Sequence, residues 1–372
     1  MNNRINVTKS SMPPLEEYVD EIRTLWETRW LTNMGEKHNQ LERRLKEYLD
    51  VQNLSLMVNG HMSLELGLQA MGVKGEIITT PFTFASTTHA IIRSGSTPVF
   101  CDINLRDFTI DVDQIESHIT ERTVAILPVH VYGNICNIEE IERIAKKHSL
   151  KVIYDAAHAF GEKYKNKGVM QYGDMSMMSF HATKVFHTIE GGALVYKDAV
   201  FRNAIDMLRD FGIKDEDTIG MIGTNAKMNE FAAAMGICNL RHIDEEIQKR
   251  KRAVEQYRSL LADLPGIQLN YENDNIESNY AYFPIVINEK QSGYTRDEMQ
   301  EYLKCKGIFA RKYFYPLTSS FECFKGFYDT DKTPNAVYAS KRVLTLPLYA
   351  NLQNEDIDRI CNVFHERRNK IS

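Results

Sequence analysis

The chain has 372 residues, 43% hydrophobic and 26% charged, enough apolar material for one large and one smaller core and too much for disorder over most of its length. Its formal net charge of −5 argues against a nucleic-acid surface, which needs clustered positive charge. No apolar run is long enough to span a bilayer, no signal-peptide core opens the chain, and the six cysteines form no C-x-x-C pair, so reduced structural thiols in a cytoplasmic protein are expected.

In chain order, residues 1–34 form an N-terminal segment with Pro13-Pro14 and a helical stretch, "PLEEYVDEIRTLWETRW". Leu41, Leu45 and Leu49 recur at helical spacing in "EKHNQLERRLKEYLDV". From Leu54 short apolar runs alternate with helical patterns. "LSLMV" predicts a strand and "MSLELGLQAMGV" a helix; "EIITT" a strand and "FASTTHAIIRSG" a helix. "TPVFCDI" and "TVAILPVHVYG" each hold a strand, "NIEEIERIAKKHS" is an amphipathic helix, and "LKVIYDAAHA" holds a further strand. Alternation of this kind predicts an α/β domain over 35–249 with a mostly parallel sheet covered on both faces.

"EFAAAMGICNLRHIDEEIQKRKRAVEQYRSLLADL" reads as one long or broken helix, and its basic run Lys249–Arg252 as a solvated face. Beyond it "YAYFPIVI" predicts a strand, "TRDEMQEYLKCKG" a helix capped by Gly307, "IFARKYF" a strand and "NEDIDRICNVFHERRNK" a final helix. Residues 250–372 are thus expected to form a smaller C-terminal α+β domain.

The chemistry concentrates around "SFHATKVFHTIEGGALVY", where Lys184 lies among hydroxyls and imidazoles. Asp155 ends an apolar strand, the place where open α/β sheets put ligand groups; taken alone it reads equally as a turn residue. Asn59-Gly60 joins a strand directly to a helix, which turns free N–H groups and a positive helix end toward an anion. Phe84, at another strand-to-helix junction, is a candidate to stack on a planar ring or a core residue. Together, a glycine turn, an aromatic, a strand-end carboxylate, Ser179 and a lysine are the parts a pyridoxal phosphate site needs. The lysine forms a Schiff base, and the carboxylate keeps the pyridine nitrogen protonated.

These residues carry a resemblance. "SFHATK…EGGAL", "DAAHAFG", "PVHVYG" and "GTNAKMNEFAAAMG" resemble the DegT/DnrJ/EryC1/StrS family of sugar aminotransferases, over nearly the whole chain from about Trp30. The resemblance implies fold type I: a large domain with a mostly parallel seven-stranded sheet, a smaller α+β domain, pyridoxal 5′-phosphate, and a homodimer with shared sites. It implies Lys184 as the Schiff-base lysine and Asp155 as the partner of the pyridine nitrogen. His158 would stand beside the ring's 3-hydroxyl oxygen and Phe84 would stack on the ring. Ser179 and the Gly60-His61-Met62 turn would contact the phosphate, with Asn225 reaching it from the partner subunit. The turn departs from the family's usual N-G-T or S-G-T, which removes a threonine hydroxyl. Members with histidine in place of the lysine act as dehydratases; Lys184 therefore favours transamination.

The implied reaction moves an amino group from L-glutamate to C4 of dTDP-4-keto-6-deoxy-D-glucose, for O-antigen synthesis. Alternatives are amination at C3 of a 3-keto isomer, or a cofactor-binding regulator without turnover. "ARKYFYPL" offers Arg311, Lys312, Tyr313 and Tyr315 to an anionic nucleotide, or is a strand with solvated cations. His187 and His130 are each either substrate-facing or structural histidines.

Overall fold

The computed structural model describes residues 4–369. Its main sheet has seven strands: β1 (Leu54–Met57), β2 (Glu76–Thr79), β3 (Thr97–Phe100), β4 (Thr123–Ile126), β5 (Lys151–Asp155), β6 (Met175–Ser179) and β7 (Gly192–Tyr196). Their order is β1-β7-β6-β5-β4-β2-β3. β7 runs antiparallel to both its neighbours, and every other adjacent pair is parallel. The expected mostly parallel seven-stranded sheet is present.

The nearly continuous apolar runs of these strands follow from burial on both faces. Ile77, Ala125, Ile153, Met177 and Leu194 share one core with Leu64 and Leu68 of α3 (Gly60–Ala70). Their chain neighbours Ile78, Ile126, Tyr154, Met178 and Ala193 share the other, with Leu41 and Leu45 of α2 (Glu36–Leu49). Successive strand side chains point to opposite faces, so a sheet sandwiched by helices selects an apolar residue at both parities. Each fully buried Ile or Leu stabilises the fold by roughly 1.5–3 kcal/mol. A charge at Ile126, which is fully buried, would break that face.

α1 spans Leu15–Thr28, α4 Ala85–Arg93, α5 Ile138–His148 and α6 Phe201–Arg209. The long run is one unbroken helix, α7 (Glu230–Leu261), capped where Asn229 accepts the Ala232 N–H at 2.9 Å. Ala233, Ile237 and Ile243 of α7 belong to the large core; Ala253, Val254, Tyr257 and Leu261 belong to a second core. That second core lies on an antiparallel sheet of β8 (Ile267–Leu269), β9 (Phe283–Ile287) and β10 (Val343–Leu346). It is covered by α8 (Arg296–Cys305) and α10 (Asn354–Asn369), while α9 (Pro334–Arg342) packs on a further cluster. In that cluster Phe82, Phe108 and Tyr132 meet Val286, Phe314 and Val343, joining the two parts.

Gly307 ends α8 as expected: at φ 78° its N–H reaches the Lys304 carbonyl at 2.9 Å. The strand expected over "IFARKYF" is absent. Phe309 N–H bonds Ile5 and Arg311 N–H bonds Thr345. The run thus passes from one partner to another and forms only isolated bridges. Among the described residues no helix is long and apolar enough to cross a membrane, and no His/Cys/Asp/Glu cluster could hold a metal ion.

Candidate active site

Three parallel strands deliver the predicted groups to one edge of the sheet. β1 leads into Asn59-Gly60, β5 ends on Asp155 and β6 ends on Ser179. Asn59 adopts an extended conformation, and its side chain accepts the Met62 N–H at 2.8 Å. That cap uses the Met62 amide, so Met62 does not offer the free N–H expected of it; Gly60 and His61 retain theirs. Two close approaches hold the turn in place. A Cβ on Gly60 would lie 2.9 Å from the Ser179 Cβ, and one on Gly192 would lie 2.5 Å from the Gly60 nitrogen. His61 ties the turn to α4, its Nδ1 2.8 Å from the Ser86 hydroxyl.

Asp155 is buried, 4% exposed. Its Oδ2 accepts the Thr87 hydroxyl at 2.7 Å and its Oδ1 the Ala157 N–H at 3.2 Å. Thr87 stands in the first turn of α4 and shares a 2.8 Å hydrogen bond with Thr83. Burial pushes the Asp155 carboxyl up, and Thr87, Ala157 and the Lys184 charge pull it back. A buried carboxylate in this position is stabilised by a cation brought against it. Phe84 immediately precedes α4 and is 55% exposed, free to cover a ring laid over the strand ends.

The Lys184 amine lies 3.2 Å from the Tyr282 hydroxyl, and its charge acts on both Asp155 and His158. His158 Nδ1 accepts the Tyr132 N–H at 3.0 Å. Burial first, then Lys184, hold its imidazole well below the usual range. With Nδ1 an acceptor, the neutral ring carries its proton on Nε2.

The other predicted residues separate. His187 does not join the cluster: its ring is buried against the N-terminal segment, Nε2 on the Ser11 carbonyl, while Asn239 donates to its backbone carbonyl at 2.9 Å. The chain between it and Lys184 doubles back, Thr188 N–H bonding Phe180 at 2.9 Å. His130 is a core histidine. It stacks on Tyr154 at 4.8 Å and accepts the Cys136 N–H, and burial pushes its imidazole down to about 3. Lys312 is paired with Asp297 at 2.8 Å, so its charge is partly committed. Arg311 is exposed and lies 4.3 Å over the Tyr313 ring; Tyr315 is 51% exposed. Asn225 is exposed and bridges Asp210.

Sequence reasoning missed Thr87, Tyr132 and Tyr282. Thr87 had a usable signal, since it lies three residues after Phe84 on the first turn of the helix that begins there.

Residues 15–365 match the model of the DegT/DnrJ/EryC1/StrS aminotransferase family. The chain is 42% identical to dTDP-4-amino-4,6-dideoxy-D-glucose transaminase of Shigella dysenteriae, over 98% of this chain and 100% of that one. It is 44% identical to the Escherichia coli enzyme of the same name, over 97% and 98%. The solved structure of DesI in the presence of its TDP-sugar product superposes with a TM-score of 0.94 at 32% identity, over 99% of this chain and 94% of that one. Spr1654 from Streptococcus pneumoniae, in its PLP form, does so with a TM-score of 0.92 at 25% identity, over 99% and 100%.

Proposed function

The chain belongs to the DegT/DnrJ/EryC1/StrS aminotransferase family, and from that premise we propose that it transfers an amino group from L-glutamate to C4 of dTDP-4-keto-6-deoxy-D-glucose. The product is dTDP-4-amino-4,6-dideoxy-D-glucose. The family is pyridoxal phosphate-dependent, and both transaminase relatives match over nearly their full length. The observation that carries the site is the convergence of Lys184 with a buried Asp155 whose two oxygens are already held.

The residues fit pyridoxal 5′-phosphate. Asp155 would hold the pyridine N–H, and its burial leaves it in want of that cation. The Gly60 and His61 amides with the Ser179 hydroxyl would hold the phosphate. Phe84 would cover the ring, and the His158 Nε2–H would donate to the 3-hydroxyl oxygen. When bound, the cofactor supplies an aldehyde carbon that takes up the amino group and a ring that accepts electron density. Lys184 would anchor it, and its freed amine would take the proton from the donor's α-carbon as general base and deliver it as general acid to the former aldehyde carbon. Arg311, Tyr313 and Tyr315 are proposed to meet the nucleotide diphosphate.

The proposal extends to a homodimer in which Asn225 reaches the partner's phosphate cradle. Ile219 is 66% and Ile222 95% exposed just before Asn225, apolar surface that a second copy would cover. We place the enzyme in the cytoplasm, making the sugar for O-antigen. The test is product NMR after incubation with pyridoxal phosphate, glutamate and dTDP-4-keto-6-deoxyglucose. An amine on C4 in the gluco configuration supports the reading. No product, with glutamate still converting the cofactor to its amine form, redirects it to the 3-keto isomer.

A further inference from the structure

Tyr282 stands 98 residues after Lys184 and just ahead of β9, yet its hydroxyl is the hydrogen-bond partner of the Lys184 amine at 3.2 Å. The amine also lies 5.6 Å from the centre of the Tyr282 ring. The ring is fixed on three sides: by His158 at 4.7 Å, by Tyr313 at 5.9 Å and by Tyr132 at 6.0 Å.

The backbone leading to Tyr282 is fixed as well. The buried Glu162 carboxylate accepts the Asn279 N–H at 3.0 Å. The Asn279 side chain donates to the His158 and Phe160 carbonyls at 2.9 and 3.0 Å. The segment from Asn279 to Tyr282 is therefore bolted to the same loop that carries His158. The titratable groups around the pair are the Asp155 carboxyl and the neutral His158 ring toward Lys184, and the buried Arg250 guanidinium of α7 toward Tyr282.

We propose that Tyr282 is a positioning residue for Lys184: its phenolic oxygen accepts an N–H of the Lys184 ammonium, and its O–H donates to the lone pair of the neutral amine. The inference rests on Lys184 acting as proposed above. In that role Lys184 gains the donor's α-proton and gives the same proton up one step later. Tyr282 exchanges no proton in net. It keeps the amine aimed in both protonation states, where a free four-carbon side chain would sample many.

The test is Tyr282→Phe, which keeps the ring and its packing and removes one oxygen. Two readouts are needed. In the apo-protein, competitive acetylation at pH 8 with mass spectrometry of the Lys184 peptide should show the amine about threefold or more reactive relative to the other lysines, as expected on losing one hydrogen bond of ordinary net strength. In the loaded enzyme, kcat should fall about tenfold with KM for glutamate unchanged, the pattern of losing an interaction that counts only in the transition state, here the aim of the Lys184 amine. Unmoved Lys184 reactivity overturns the inference, whether or not kcat falls, because a merely structural role could lower kcat alone. Unmoved kcat overturns it too. Lys184→Ala separates this from the underlying reading: if that variant keeps full turnover, Lys184 itself is misassigned.

Discussion

Thr87 and Asp155 lie 68 residues apart in the chain and meet through a 2.7 Å hydrogen bond at the edge of the sheet. The bond joins the first turn of α4 to the end of β5, and it favours the charged carboxylate. Thr87→Val keeps the shape and removes the donor. The dissociation constant of pyridoxal phosphate, titrated by absorbance, should rise about tenfold, as for one hydrogen bond to a charged group. An unchanged constant would mean that Asp155 does not pair with the cofactor.

Asp155→Asn should separate activity from stability. Burial raises the native carboxyl above its ordinary 3.8. Between that value and the raised one the folded chain holds more protons than the unfolded chain, so this group's stabilisation is lost as pH rises through the window. The asparagine escapes that cost. Apo D155N should melt at or above the wild-type temperature at pH 7, with the gap closing below pH 4, while transamination falls by at least about a hundredfold. A lower melting temperature at pH 7 would contradict the assignment of burial as the dominant influence.

Glu162 tests the clamp on Asn279. Burial pushes its carboxyl well above the usual range, so the sign is the same: stability falls as pH rises from the unfolded value through the native one. Glu162→Gln retains an oxygen for the Asn279 N–H. Its melting temperature minus that of the wild type should grow between pH 5 and pH 8 in parallel scans. Glu162→Ala should instead melt lower throughout.

Gly60→Ala puts a Cβ 2.9 Å from the Ser179 Cβ and 3.0 Å from its Cα. Neither is the end of a flexible side chain, so the first turn of α3 must move, at a cost of about 1–3 kcal/mol. Affinity for pyridoxal phosphate should drop about tenfold or more on that scale, while affinity for pyridoxal, which lacks the phosphate, stays close to wild type. Equal losses for both ligands would place the phosphate elsewhere.

What could be read from the chain was whatever rests on local pattern. Leu41, Leu45 and Leu49 announce α2, the apolar runs announce the parallel strands, and Asp155 and Lys184 sit in compact motifs. β6, "MSMMS", escaped because it has no β-branched or aromatic residue; only its neighbours make it a strand. His187 misled in the opposite way. It is three residues from Lys184 in sequence, but the loop doubles back and buries it on the far side. Tyr282 was out of reach because no local pattern reports a contact across 98 residues.

α7 runs through 32 residues without interruption, roughly 48 Å at 1.5 Å per residue, and packs into both cores. A loop between two bodies can act as a hinge; a continuous helix anchored at each end resists one. Any closure over substrate must therefore flex this beam or be confined to short segments beside it, such as the stretches carrying Tyr282 and Tyr313. The same continuity couples the two cores mechanically, so melting of either end of α7 would strip packing from the other, and heat should unfold the chain as one unit rather than in two steps.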